Sequence, residues 1–442
     1  MQLFTLLTWV ALLASAGASL PLHAQAPLEL DSLVQQALGA NPAIRSAEAR
    51  SRAAEAAIPQ AGARPDPMLM VGLVNFPIAD PGFDDFMTMK MIGVSQVFPY
   101  PGKLRLRTDA ARHQLAAAEA EVEATRLATI RQVKEAYFEL ARADRLIEIV
   151  ERHQRLLVGV MQATEASYRV GRSGQEDVLG AQVEATRLGQ NAAELREARR
   201  AALARLNAIL DRPSEMPVAA PALPAALQRA AVADSASRIR FVSTTLGTRA
   251  AGSPVPPLDS LQELAIRQSP VLRAHVARIA ARKAQVELAR KDALPDFDVS
   301  LQFNQRTGFS DMVSAMVAIP IPLQKGRKQG QAVAGAEAEL AEDMAGHHAM
   351  VNDLRARVAE AVSDLERDRA QLALYVKAVL PQAHAALEAA TTGFQVGRTT
   401  FQTLVERQAT LFNYETEYVR ALTDFALSLA MLEQTVGQEV LR

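Results

Sequence analysis

No cysteine occurs in the 442 residues. That absence excludes a disulfide framework, a zinc–thiolate or iron–sulfur centre, a cysteine nucleophile and an acylated N-terminal cysteine of the lipoprotein kind. Tryptophan occurs once, and aromatic residues make up only 5% of the chain. The apolar half is therefore small and aliphatic, which suits close helix–helix contact better than a bulky globular core. An excess of either charge is missing too. The 48 Lys+Arg and 49 Asp+Glu leave a net charge of −1, without the positive surplus of a nucleic-acid binder. At 49% hydrophobic residues the chain is too apolar for disorder. Beyond residue 24 no apolar run reaches the ~20 residues that a spanning helix needs. Such a chain is either soluble or crosses a membrane as a closed β-barrel.

What is present begins with residues 1–24, which carry no Asp, Glu, Lys or Arg and hold an apolar run at 4–20. They read as a secretory signal peptide cleaved after Ala24. The remainder contains an internal repeat. Asp31-Ser32-Leu33 returns as Asp259-Ser260-Leu261, and Asn41-Pro42 as Ser269-Pro270, each 228 positions on. Pro65-Asp66 returns as Pro295-Asp296. Tyr168-Arg169-Val170-Gly171-Arg172 returns as Phe394-Gln395-Val396-Gly397-Arg398, 226 positions on. The small drift in offset marks two homologous copies with short indels. The expected organisation is a first repeat at 25–212, a Pro/Ala-rich linker at 213–257 and a second repeat at 258–442.

Each repeat opens with two helices, the second entered through a proline that resets the chain. Strand-like runs follow at 68–76 and 87–98, and at 296–305 and 312–321. They form hairpins over 68–98 and 296–321. In the third run Phe297, Val299, Leu301 and Phe303 alternate with Asp298, Ser300, Gln302 and Asn304. Lys90 and Gln96 interrupt the second. Long helical stretches follow, expected as coiled-coil hairpins over 104–211 and 327–438. The seam runs through Ile130, Val133, Tyr137, Leu140, Ile147 and Val150 in the first repeat. In the second it runs through Leu404, Leu411, Tyr418, Phe425 and Leu432, each seven apart. Gly171 and Gly397 stand where the hairpins turn, as a left-handed residue at a helix end requires.

Four strands cannot close a barrel, and open edges are forbidden in lipid. Several copies must therefore share one barrel, and three would supply twelve strands. The expected fold is mainly α with a small β part: a β-barrel shared between copies and continued by an α-helical tube.

The duplicated unit and the Val-Gly-Arg tip of both copies resemble the TolC-like outer-membrane efflux proteins, over nearly the whole mature chain. Ala63-Arg64-Pro65-Asp66-Pro67, and the run from Ser95 through Pro99-Tyr100-Pro101-Gly102 to Lys103, look like the heavy-metal-efflux (CzcC/CusC-like) branch. That resemblance implies a homotrimeric duct in the outer membrane of a Gram-negative bacterium, extending into the periplasm. It implies a periplasmic adaptor and an inner-membrane RND-type pump as partners, with outer-membrane lipid around the barrel. The cargo it implies is heavy-metal cations; drugs or other small molecules remain an alternative. A periplasmic adaptor and a structural coiled coil are rivals of another class, disfavoured by the doubled hairpins.

Candidate docking residues at the tips are Val170, Gly171 and Arg172, with Val396, Gly397 and Arg398; turn chemistry alone would also select them. Asp177 and Glu406 are candidates for an acidic ring at the periplasmic mouth, or for plain helix-end carboxylates. Met68, Met70, Met87, Met89, Met91, Met312 and Met316 recur in the strands, either as apolar filling or as soft thioether ligands. His347-His348 are neighbours on one helix and point to different faces. Metalloprotease, P-loop, nucleophile-elbow and dinucleotide motifs are missing, so neither an enzyme nor a cofactor is expected.

Overall fold

The computed structural model describes residues 30–78, 81–85, 87–171, 173–218, 256–438 and 440. The expected signal peptide, Arg172 and the linker from 219 to 255 lie outside the described residues. In the first half, α1 (Leu30–Ala40) and α2 (Pro42–Gly62) precede β1 (Met68–Val74) and β2 (Met89–Phe98). Then come α3 (Lys103–Arg169) and α4 (Gln175–Ile209). The second half runs α5 (Leu258–Gln268), α6 (Pro270–Lys291), β3 (Phe297–Arg306), β4 (Met312–Ala318) and α7 (Gln329–Leu374). A single π-helical turn (Tyr375–Val379), α8 (Leu380–Gln395) and α9 (Phe401–Val436) complete it. The order of elements is the same in both halves.

Local chemistry accounts for the boundaries. The Asn41 side chain accepts from the Ala43 N–H at 2.8 Å, and Pro42 sits at the first helical position, where its missing N–H costs nothing. Ser269 caps α6 in the same way, accepting from the Leu272 N–H ahead of Pro270. The 67-residue α3 is about 100 Å long. It survives at that length because an apolar stripe is covered throughout. Val133, Leu140 and Val150 are buried, with Leu33, Val34 and Ala37 of α1 and Leu206 of α4 packed beside the first two. The expected seam slips at one point: Ile147 is only half-buried, and Leu146 and Ile149 take its place. A 3.6-residue helix drifts from a strict seven-residue repeat, so the buried position moves by one. Leu404, Leu411, Phe425 and Leu432 of α9 are buried as the heptad predicts, and Tyr418 partly so. Farther along α3, Leu157 packs with Leu188 and Ala192 of α4 and with Phe412 and Val419 of α9, which joins the two halves.

The long helix of the second half is not continuous α-helix. Pro381 has no N–H to donate one turn back, and the turn before it widens to the π form. Pro381 has no counterpart in α3, and the expected hairpin over 327–438 takes no account of it.

The two hairpins merge into one antiparallel sheet in the order β1-β2-β3-β4. Its middle seam pairs β2 with β3 over ten residues, from Met89 opposite Arg306 to Phe98 opposite Phe297. The outer edges of β1 and β4 have no partner strand among the described residues. No helix among them is long and apolar enough to cross a membrane.

Candidate functional site

The sheet has two chemically distinct faces, fixed by register. Leu69 lies opposite Val94, Val94 opposite Leu301, and Leu301 opposite Ala315. Val71, Ile92, Phe303 and Val313 form the next row. This apolar face is the exposed one: Leu301 is 59% exposed, while Asn304 on the other face is 5%. A soluble sheet would do the reverse. Lys90 and Gln96, the two interruptions, lie on the apolar face near the two ends of β2. Each is held there, the Lys90 ammonium 4.8 Å from the Phe83 ring centre and the Gln96 amide donating to the Pro65 carbonyl at 2.7 Å.

The opposite face carries Ser95, Ser300, Gln302, Ser314 and Asn304. Glycines make room on it. A Cβ on Gly93 would meet Gln302 at 2.8 Å, and one on Gly72 would touch the Met91 methyl at 3.5 Å. Every strand methionine, namely Met68, Met70, Met89, Met91, Met312 and Met316, falls on this polar face. None shares the aliphatic face, which the sequence alternation left undecided. Met87 precedes β2.

Where the sheet meets the helices, the two halves are tied together. Lys103 at the start of α3 is buried, and its ammonium donates to Asp296 Oδ1 at 2.8 Å and to the Leu294 carbonyl at 2.9 Å. Asp292 lies 3.4 Å away. Asp296 also accepts from the Tyr100 N–H at 2.7 Å. Gly102 turns the chain with φ +94°, and Lys291 packs over it. The Pro-Tyr-Pro-Gly-Lys and Pro-Asp motifs are thus two sides of one lock, a role that spacing alone did not reveal. Lys103→Met leaves Asp296 short of a cation in a partly buried place. We expect a loss of about 2 kcal/mol in the unfolding free energy of the helical signal.

At the far end of the helices the two tips share one geometry. The Gly171 N–H donates to the Tyr168 carbonyl at 2.9 Å and the Gly397 N–H to the Phe394 carbonyl at 3.1 Å. Their φ values are +71° and +76°. Val170 and Val396 are exposed at 69% and 63%. Arg398 donates its backbone N–H to the Gly393 carbonyl at 2.7 Å, closing the second turn. The Asp177 carboxylate caps α4, accepting from the Gly174 N–H at 3.3 Å and the Ser173 hydroxyl at 2.7 Å. Glu406 is exposed and accepts from Gln402 at 3.0 Å. Phe401 of α9 would sit 3.3 Å from a Cβ at Gly180 of α4, so the tips touch.

Between sheet and tips lies a buried charge cluster that the sequence did not single out. Glu415 of α9 accepts from Arg152 at 2.7 Å and from His153 at 2.8 Å, both on α3; His384 of α8 stands 3.5 Å away. His153 is 1% exposed and edge-on to Phe412. Burial pushes the Glu415 carboxyl up, but the His153 and Arg152 hydrogen bonds and the Arg152 charge outweigh it and hold the group below its ordinary value. Elsewhere His347 stacks on His275 of α6 at 5.8 Å and meets His348 edge-on at 6.3 Å, and burial and the neighbouring imidazoles lower its pKa. No group of three His, Asp or Glu among the described residues is placed to hold a metal.

The sequence model described as outer membrane efflux protein matches this chain twice, at residues 33–212 and 261–438. The cobalt-zinc-cadmium resistance protein CzcC of Cupriavidus metallidurans is 28% identical over 189 residues. That stretch is 42% of this chain and 44% of the relative, so the match spans less than half of that protein's length. Among solved structures, the outer-membrane channel OprN superposes with a TM-score of 0.75 at 19% identity, over 93% of this chain and 91% of that one. The outer membrane protein VceC of Vibrio cholerae gives 0.72 at 22%, over 94% and 97%. CusC, described as forming a transmembrane channel, gives 0.75 at 16%, over 93% and 92%.

Proposed function

The chain belongs to the outer membrane efflux protein family, and from that membership we propose that three copies build one passive export duct through which an inner-membrane pump discharges. As a family member it resides in the outer membrane, with its helices extending into the periplasm. The observation that carries the proposal is the inverted sheet. An aliphatic face turned outward fits lipid, a face of serines and amides fits a watery lumen, and the two unpaired edges fit a barrel closed by other copies. Three sheets of four strands give twelve. Around the lumen, helical hairpins from each copy would continue the wall as coiled coils, with the 213–257 segment between the two repeats.

The duct has no reaction of its own. The energy comes from an RND-type pump, coupled through a periplasmic adaptor that docks on the tips at Val170, Gly171, Arg172, Val396, Gly397 and Arg398. Heavy-metal cations are the favoured cargo. Similarity to CzcC supports that. Drugs or other small molecules are the second reading, since the fold is shared with outer-membrane channels such as OprN and does not itself select a metal. Fractionation decides the duct itself: a heat-labile trimer in outer membranes that conducts in a planar bilayer supports it, and a soluble monomer ends it. Deletion followed by growth on copper, zinc, cobalt, cadmium, silver and a drug panel then decides the cargo.

At the periplasmic mouth, threefold rings of Asp177 and Glu406 would favour cations. We expect Asp177→Asn combined with Glu406→Gln to reduce the cation preference of the reversal potential by about half or more. An unchanged potential would leave Asp177 with its capping role alone.

A further inference from the structure

One seam inside this chain has a counterpart that a single copy cannot make. β2 of the first half meets β3 of the second, and the Lys103–Asp296 lock closes that seam at its helix end. We propose that the seam between copies repeats the internal one: β4 of one copy pairs with β1 of the next so that Val317 faces Val71. Asp66 is then received by the cationic loop of the neighbour at Lys325, Arg327 and Lys328. The inference rests on the trimeric reading above and adds to it the register and the residues that hold the seam.

The register follows from the repeat. Leu69 stands three residues after Asp66 and faces Val94. Val299 stands three residues after Asp296 and faces Val317. Leu69 and Val299 are therefore equivalent, and so are Val94 and Val317. In the internal seam Val94 faces Leu301, whose equivalent is Val71. Carrying that pair across places Val317 opposite Val71, and Ala315 opposite Leu73. Both pairs lie on the aliphatic face. A slip of one residue would send every side chain of one strand to the wrong side.

The lock follows in the same way. Asp296 enters β3 and is gripped by the turn that leaves β2. Asp66 enters β1 and is exposed, with no ion-pair partner among the described residues. The turn that leaves β4 has the same proline-rich start and leads into α7. Its cations Lys325, Arg327 and Lys328 are all exposed, whereas Lys103 is buried. Ile321 and Leu323 in that turn are 78% and 90% exposed, where the internal seam has Phe98 and Tyr100 partly covered. The uncovered turn is what the internal lock would look like with its other half removed. A second copy of this chain supplies that half.

The missing cysteines make the test clean, because no native thiol can cross-link. Full-length chain carrying Val71→Cys and Val317→Cys is oxidised, or treated with a short bifunctional thiol reagent, in its native membrane. A covalent trimer on denaturing gels is expected. A control with Val71→Cys and Val313→Cys, about 13 Å out of register, should not link. Asp66→Cys paired with Lys325→Cys or Lys328→Cys should link as well. Charge exchange gives an independent reading. Asp66→Lys should lower the trimer fraction about tenfold, and glutamate at 325, 327 and 328 should restore it. If trimers form and conduct but the shifted pair links instead, or if charge exchange has no effect, the proposed seam is wrong and the duct stands. If no trimer forms in the unsubstituted protein, both fall.

Discussion

Glu415→Ala is expected to lower the stability of the helical body by about 3 kcal/mol, read as a shift of the denaturant midpoint of the helical circular-dichroism signal. The size follows from what is left behind. Glu415 is the shared acceptor of Arg152 and His153, and His153 is sealed from water. Removing one partner of a buried pair strands the other, which costs more than the pair contributes net. The cluster also ties α9 to α3, so the loss reaches the contact between the two halves. Its pH dependence has a definite sign. The carboxyl is held below its ordinary value of 4.5 in the folded protein. Its contribution is therefore complete above that value and disappears as pH falls through the depressed one. The stability difference between the native protein and Glu415→Gln should shrink as pH falls below 4.5 through the depressed value. A difference that grows as pH falls would contradict the assignment.

The double replacement Gly171→Leu and Gly397→Leu should abolish export while trimers persist. Both glycines adopt left-handed backbone, and each substitution costs roughly 1–2 kcal/mol of local strain. Nothing lies within 4 Å of a Cβ at either position, so packing inside the chain is not what forbids a side chain. The strain falls on the two tips, about 100 Å from the four-stranded sheet. Asparagine tolerates the left-handed region, so Gly171→Asn with Gly397→Asn should retain much more export if turn geometry is the whole requirement. If adaptor contact needs the bare backbone, both doubles fail, and Val170→Asp with Val396→Asp fails with them. Full resistance in the leucine double would remove the tips from the docking surface.

The elements were legible because their signals are local. Prolines after Asn41 and Ser269, the alternation from Phe297 to Asn304 and the sevenfold spacing from Leu404 to Leu432 each fix one element within a residue or two. The tip glycines were legible for the same reason, since a positive φ demands them. What stayed hidden depends on residues distant in sequence. Lys103 and Asp296 look like ordinary surface charges, and their lock needs β2 beside β3. His153 and Glu415 lie 262 positions apart and meet only when α9 lies against α3. The methionines were ambiguous because a period of two says that alternate residues share a face, not which face meets water.

The π-helical turn at Tyr375–Val379 bears on the symmetry of the whole assembly. A duplicated chain in a threefold ring could approximate a sixfold tube, each copy of the unit contributing one near-identical stave. The sheet end is compatible with that, since its internal seam can serve as the template for the outer one. Through the turn before Pro381 the second half carries one residue more than the first. Before the turn Val358 and Leu365 are buried 225 positions after Val133 and Leu140, and beyond it Ala383 and Ala390 are buried 226 positions after Leu157 and Thr164, so the widened turn takes up one extra residue and keeps the equivalent stripe buried. The second half therefore keeps the equivalent stripe of its helix buried on both sides of the break, and in a threefold ring the sixfold approximation would extend past Pro381 toward the tips.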